Sequence, residues 1–209
     1  MAQLRQQTKV EPIYALSART EYSSRAMGAL LAEIHPDKRY NILDLGPAVP
    51  TNLELYSQFA SKIYIEDFYR SVSSGELLGE TEAETLEKIL PFSSGTKFEV
   101  ILCWDVLNYL SRENLAQFAD YLSKFCAPKA LLLSMFYTNP EMPGSASCFR
   151  VKGMGVNRAV EIVVERGSSS EKPAPRYTQS DIKKYMPQLE LVNSYLLRYG
   201  FREELFLVG

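Results

Sequence analysis

One histidine, His35, and three cysteines, Cys103, Cys126 and Cys148, are all that this 209-residue chain offers among the side chains that favour transition metals. No two cysteines stand in CxxC spacing and their number is odd. The sequence therefore points away from a structural metal or a disulfide framework and toward a reduced, cytoplasmic setting. Positive charge is also scarce: 23 Lys and Arg face 25 Asp and Glu, a net charge of −2. Broad binding to nucleic-acid phosphates, which needs an excess of cations, is not expected. Long apolar runs are missing as well. None approaches the roughly 18 residues of a membrane-crossing helix, and the N-terminal MAQLRQQTKVEP has no apolar stretch of the export-signal kind, so neither membrane spanning nor export is expected. What remains is an ordinary globular composition, 46% hydrophobic and 23% charged, in a length suited to one domain.

Within residues 1–37, Tyr22, Ala26, Met27, Leu30, Leu31 and Ile34 recur at three- and four-residue spacing and predict a helical cover that ends before His35-Pro36. Tyr40 to Leu45 is a short apolar run closed by Gly46-Pro47, the pattern of a buried strand entering a sharp turn. Thr51 and Glu54 have capping-box spacing for a helix carrying Leu55, Phe59 and Ala60, and Lys62 to Ile65 reads as a second strand ending in Glu66-Asp67. Strand, glycine turn, helix and strand in so short a span make a right-handed βαβ unit with parallel strands. The pattern repeats: strand Phe98 to Cys103, a helix capped by Ser111, and strand Lys129 to Phe136, with residues 70–90 mainly helical between the units. Two β-rich runs around KGMGVNR predict a hairpin inserted within residues 140–176, where GSSSEKPAP reads as an exposed loop. A short helix from Thr178 or Ser180 stops at Pro187, and Leu189 to Arg198 with Arg202 to Val208 form a closing antiparallel hairpin. The expectation is one α/β domain over residues 1–209, with a mostly parallel sheet and helices on both faces.

Open parallel sheets bind ligands outside the carboxyl ends of their strands, where helix N-termini and bare backbone converge. Gly46 stands at such an end and lets a ligand approach the main chain. Glu66 and Asp67 follow 20 and 21 residues later at the end of the neighbouring strand, the spacing at which a carboxylate can accept both hydroxyls of a ribose. Either acid suits that role.

Ile42-Leu43-Asp44-Leu45-Gly46 with this acidic strand end resembles motif I and its partner in class I S-adenosylmethionine-dependent methyltransferases. FEVILCWDVLNYL, residues 98–110, is similar to the family's fourth-strand segment, and the closing hairpin suits its antiparallel last strand. The likeness covers residues 38–209, with 140–176 poorly matched. It implies a Rossmann-like methyltransferase sandwich with S-adenosylmethionine as cofactor. By the same resemblance Asp44 and Gly46 help hold the amino-acid portion through the loop backbone, Pro47 and Ala48 of that loop also bind the cofactor, Glu66 or Asp67 holds the ribose, and Cys103, Trp104 and Asp105 sit near the adenine and the methionine moiety. The methyl acceptor is then a small molecule or a protein side chain, seated under residues 140–176 and the N-terminal helices. Because a sulfonium carries its own reactive methyl group, the protein mainly aligns a nucleophile, and no catalytic residue is singled out. The loop departs from the family's GxGxG at Ala48 and Pro50, proline has no N–H, and at most three amides remain among residues 46–50. No carboxylate precedes Glu99 in ILPFSSGTKF, where the family has an acid after its third strand. These departures motivate the alternative expectation, a catalytically silent methyltransferase fold serving as an interaction module. Nicotinamide binding is disfavoured because GxGxxG is absent.

Overall fold

The computed structural model describes residues 18–73 and 82–209. The chain enters through strand β1 (Arg19–Ser24) and helix α1 (Arg25–Ala32). Here the structure differs from the helical periodicity that begins at Tyr22. Residues 19–24 pair antiparallel with residues 160–165, and this tertiary partner overrides the local spacing. Ser24 then turns the chain into α1 as its N-cap, accepting a hydrogen bond from the Met27 amide at 3.0 Å. The part of the predicted cover on residues 1–17 lies outside the described residues.

Strand β2 (Tyr40–Asp44), helix α2 (Pro50–Ser57) and strand β3 (Ala60–Ile65) form the parallel βαβ unit. α2 starts earlier than the capping-box spacing of Thr51 and Glu54 implies. Pro50, whose fixed φ suits the first helical position, opens the helix, and Val49 stands at the N-cap without a side-chain bond. Thr51 therefore falls inside the first turn, where its hydroxyl is buried with no partner. Helices α3 (Phe68–Ser73) and α4 (Glu82–Ile89) bear out the helical character of residues 70–90 at its two ends; residues 74–81 lie outside the described residues.

The second half of the parallel sheet is β4 (Phe98–Trp104), α5 (Arg112–Ser123) and β5 (Cys126–Tyr137). Ser111 caps α5, accepting from the Asn114 amide at 3.1 Å. The inserted region holds β6 (Glu141–Pro143), β7 (Cys148–Met154), β8 (Val160–Glu165) and β9 (Glu171–Pro173). β7 and β8 are the expected antiparallel hairpin, and β1 extends them to a three-stranded sheet. The exposed loop expected at GSSSEKPAP contains β9, which pairs with β6. Helix α6 (Gln179–Tyr185), with a capping box between Thr178 and Asp181, leads to β10 (Leu189–Leu196) and β11 (Phe201–Val208).

The main sheet has the order β10-β11-β5-β4-β2-β3, its last four strands parallel and its first two antiparallel. Alternation along the strands assigns side chains to two faces. Leu43, Ile101, Cys103, Leu132 and Phe206 pack with α4, α5 and α6 on one face. Ile42, Val100, Leu102, Leu133 and Leu205 pack on the other, with α1, α2 and the small sheet. Helices thus cover both faces, and β1, β7 and β8 stand beside the carboxyl ends of β2 and β4 rather than within the main sheet. Among the described residues, no helix is long and apolar enough to cross a membrane.

Candidate functional site

Asp44 ends β2 and is almost wholly buried. Its Oδ1 accepts from the Gly46 amide at 2.9 Å and from Trp104 Nε1 at 2.6 Å, while its Oδ2 accepts from the Tyr56 hydroxyl at 2.8 Å. Burial pushes its carboxyl above the usual range, and these three donors oppose that push. Both oxygens are therefore committed inside the protein. Asp44 thus braces the Gly46 turn from behind.

Trp104, at the end of β4, has φ +48°, a left-handed conformation that costs a residue with a Cβ of the order of 1–3 kcal/mol. The turn lays its indole beside Gly46 and parallel to the Phe149 ring of β7, with centroids 5.2 Å apart. A Cβ at Gly46 would stand 2.9 Å from Trp104 Cδ1 and 3.2 Å from Asp44 Oδ1. The missing side chain at Gly46 is thus explained first by a packed indole.

Beside this floor lies a cavity of about 320 Å³. Gly46, Pro47, Trp104 and Val106 form one side; Asp67, Tyr69 and Arg70 close the β3 end; Ser145 to Cys148 and Glu165 to Gly167 come from the insertion. The inserted wall is tied by four residues to the helices and turns around the main sheet. Tyr69 donates to the Gly144 carbonyl at 3.1 Å, and Tyr109 donates to those of Pro143 and Ser145 at 3.1 and 2.7 Å. Asp105 Oδ2 accepts from the Ser147 amide at 3.1 Å. Asn52, buried in α2, holds β7 with both ends of its amide, donating to the Phe149 carbonyl at 2.9 Å and accepting from the Val151 amide at 2.8 Å. A Cβ on Gly167 would sit 1.9 Å from the Ala146 carbonyl oxygen, so glycine there lets the two wall segments touch.

The expected site residues separate in this geometry. Gly46, Pro47, Asp67 and Trp104 line the cavity. Ala48 is exposed beside the loop, outside the cavity wall. Glu66 is not part of the wall either and accepts from the Ser71 hydroxyl at 2.6 Å; Asp67 lines the cavity, and its Oδ1 accepts from the Arg70 amide at 3.3 Å. Cys103 belongs to the hydrophobic layer on the other face of the sheet, where burial raises its thiol well above the ordinary range. Strand alternation makes this unavoidable once Trp104 faces the cavity. Asp105 is buried behind the wall. Its carboxyl accepts from the Tyr137 hydroxyl at 3.0 Å as well as from Ser147, and burial, opposed by those bonds, pushes it up to about 7.

Tyr69, Asn52, Phe149 and Arg166 carry no motif that singles them out in the sequence, and Tyr109, within the 98–110 segment, reads there as helix packing rather than as a tie to the insertion. A buried asparagine in the first turn of a helix was the only available signal, and it is a weak one.

No protein-family model and no curated protein sequence matches the chain. Solved structures do. An S-adenosylmethionine-dependent methyltransferase from Clostridium acetobutylicum ATCC 824 superposes with a TM-score of 0.50 at 12% identity, over 88% of this chain and 90% of that one. The 1,6-didemethyltoxoflavin-N1-methyltransferase of Burkholderia thailandensis, solved with 1,6-didemethyltoxoflavin and S-adenosylhomocysteine, gives a TM-score of 0.50 at 11% identity over 88% and 77% of the two chains. The PH0226 protein of Pyrococcus horikoshii OT3 gives 0.51 at 12% identity, over 88% of each chain. This chain has the class I methyltransferase fold. Within that fold the cavity lies outside the carboxyl ends of β2, β3 and β4, the general ligand position of open α/β sheets.

The residues around the cavity fit a nucleoside bearing an amino acid. Its volume lies within the range of small-molecule sites. Asp67 presents a carboxylate to the space, Trp104 and Val106 an apolar wall, and Arg70, Glu165 and Arg166 charges of both signs.

Proposed function

We propose that the chain is an S-adenosylmethionine-dependent methyltransferase acting on a small-molecule or protein acceptor. The observation that carries the reading is the cavity at the ends of β2 and β4 in this fold, with Asp67 facing it at the end of β3. When bound, the cofactor supplies a methyl group on a sulfonium, already activated for transfer. The chain's own residues bind and orient. Asp67 accepts the ribose hydroxyls. The Gly46-Pro47 turn, held rigid by Asp44, sets the approach of the ligand to the main chain. Trp104, fixed by its bond to Asp44 and its stack on Phe149, forms an apolar wall that keeps water from the reacting centre. The inserted segment, tied down by Tyr69, Tyr109, Asp105 and Asn52, borders the space an acceptor enters. The acceptor's identity belongs to that insertion, because fold alone does not set it.

Calorimetry with S-adenosylmethionine and S-adenosylhomocysteine tests the reading. Binding in the micromolar range is expected, with Asp67→Ala weakening it by about 10- to 100-fold, the value of a hydrogen bond to a charged group, and Glu66→Ala leaving it within twofold. Absence of binding at millimolar ligand refutes the enzyme reading and leaves the interaction module.

A further inference from the structure

The Gly46 loop is poor in donors. Pro47 and Pro50 have no N–H, and the Gly46 N–H is committed to Asp44 at 2.9 Å. Ala48 and Val49 are the amides left in the loop to meet a ligand. An ionised carboxylate has two oxygens and about four acceptor positions, and leaving one without partners in a partly desolvated cavity is costly. A chain that binds an amino-acid-bearing ligand here needs a donor from somewhere else.

The insertion brings one. Arg166 follows β8 directly and lines the same cavity as the Gly46-Pro47 turn. Its side chain is 15% exposed, and it is anchored to β9 by an ion pair with Glu171 at 3.1 Å. A guanidinium carries five N–H donors in a rigid fork, and its planar geometry matches a carboxylate. Arg70 also lines the cavity but is exposed, where solvent screens its charge.

The two charged residues also stand far enough apart. Asp67 follows β3, the edge of the sheet, whereas Arg166 shares a small neighbouring cavity with Tyr137, the last residue of β5. The order β5-β4-β2-β3 separates those strand ends by three spacings, about 14 Å at 4.8 Å each. A nucleoside held through its ribose at Asp67 can therefore extend across Gly46 and Trp104 toward Arg166.

We propose that Arg166 anchors the α-carboxylate of the bound cofactor, replacing backbone donors that Pro47 and Pro50 remove from the loop. The inserted hairpin is then part of the cofactor site as well as its border. This assignment rests on the S-adenosylmethionine reading and deepens it.

The test compares two ligands that share a nucleoside and a thioether: S-adenosylhomocysteine, which has the amino-acid end, and 5′-deoxy-5′-methylthioadenosine, which lacks it. Calorimetry on the full chain is expected to show Arg166→Gln weakening S-adenosylhomocysteine 10- to 100-fold while methylthioadenosine binding stays within twofold. Arg112→Gln, at the start of α5 and outside the cavity lining, leaves both within twofold. If Arg166→Gln does not fold, Arg166→Lys, which keeps the charge but loses the fork, must still weaken the first ligand several-fold and spare the second. Equal loss of both ligands, or loss of neither, overturns the assignment while leaving the cofactor reading intact. Failure of the unmodified protein to bind either ligand overturns the cofactor reading, and this assignment with it.

Discussion

Raising the pH should weaken this fold through Asp105. Its carboxyl moves from the ordinary 3.8 to about 7 on folding, because burial outweighs the bonds from Tyr137 and Ser147. The difference, 7 minus 3.8, is about 3 units, which at about 1.4 kcal/mol per unit amounts to about 4 kcal/mol. The sign follows from the direction of the shift. Between these two values the folded protein holds a proton that the unfolded chain has released, so stability is greatest at the acid end and falls as pH rises from about 4 to about 7. By pH 5 the unfolded chain has already lost most of that proton, so about 3 kcal/mol of the effect falls between pH 5 and pH 8. Asp44 and Glu203, also raised by burial, titrate in the same direction, and comparison with Asp105→Asn removes their share. The assay is urea unfolding at pH 5 and pH 8, with the slope against urea checked for constancy. The unmodified protein is expected to lose about 3 kcal/mol more than the variant across this range. Parallel losses in the two proteins would show that the Asp105 carboxyl reaches water or a cation in solution, and would refute the argument from burial.

Gly46→Ala places a methyl group 2.9 Å from Trp104 Cδ1. An overpacking cost of about 1–3 kcal/mol is expected, together with a red shift of emission from the chain's single tryptophan; an unchanged thermal midpoint and spectrum would show that the indole does not pack there. Asn52→Ala leaves the Phe149 carbonyl and the Val151 amide without their partners. A loss of about 1–3 kcal/mol for each is expected, with faster hydrogen exchange at Val151, and unchanged protection at that amide would remove Asn52 as the clamp of β7.

The parts of the fold legible in the sequence are those fixed by local pattern. β2, β4 and β5 are continuous apolar runs because both faces of a central parallel strand are buried, and Ser111 and Thr178 announce their helices by capping chemistry. β1 escapes the same reasoning: Tyr22 and Ser24 gain their strand conformation from β8, a partner more than a hundred residues away that no local window contains. The site divides in the same way. Gly46 and the acidic pair after β3 stand out by spacing, but that Asp67 and not Glu66 lines the cavity is visible only in the folded chain. Asp44 is conspicuous in sequence, yet its role as a brace becomes visible only when Trp104 and Tyr56 arrive from other elements. Arg166 lies in the segment least like the resembled family, and only the antiparallel return of β8 brings it to the cavity.

The pairing of β1 with β8 also sets an order of assembly. Arg19 is matched with Glu165, 146 residues later (165 minus 19). A ribosome adding about 5–20 residues per second needs about 7–30 s to make the chain between them. Throughout that interval β1 is a strand without a neighbour, the kind of segment that aggregates or recruits a chaperone. The cavity wall carrying Arg166 cannot close before β8 has been made and has found β1. For a ligand held as proposed above, the receptor would therefore be incomplete on the nascent chain until most of the main sheet has been synthesised.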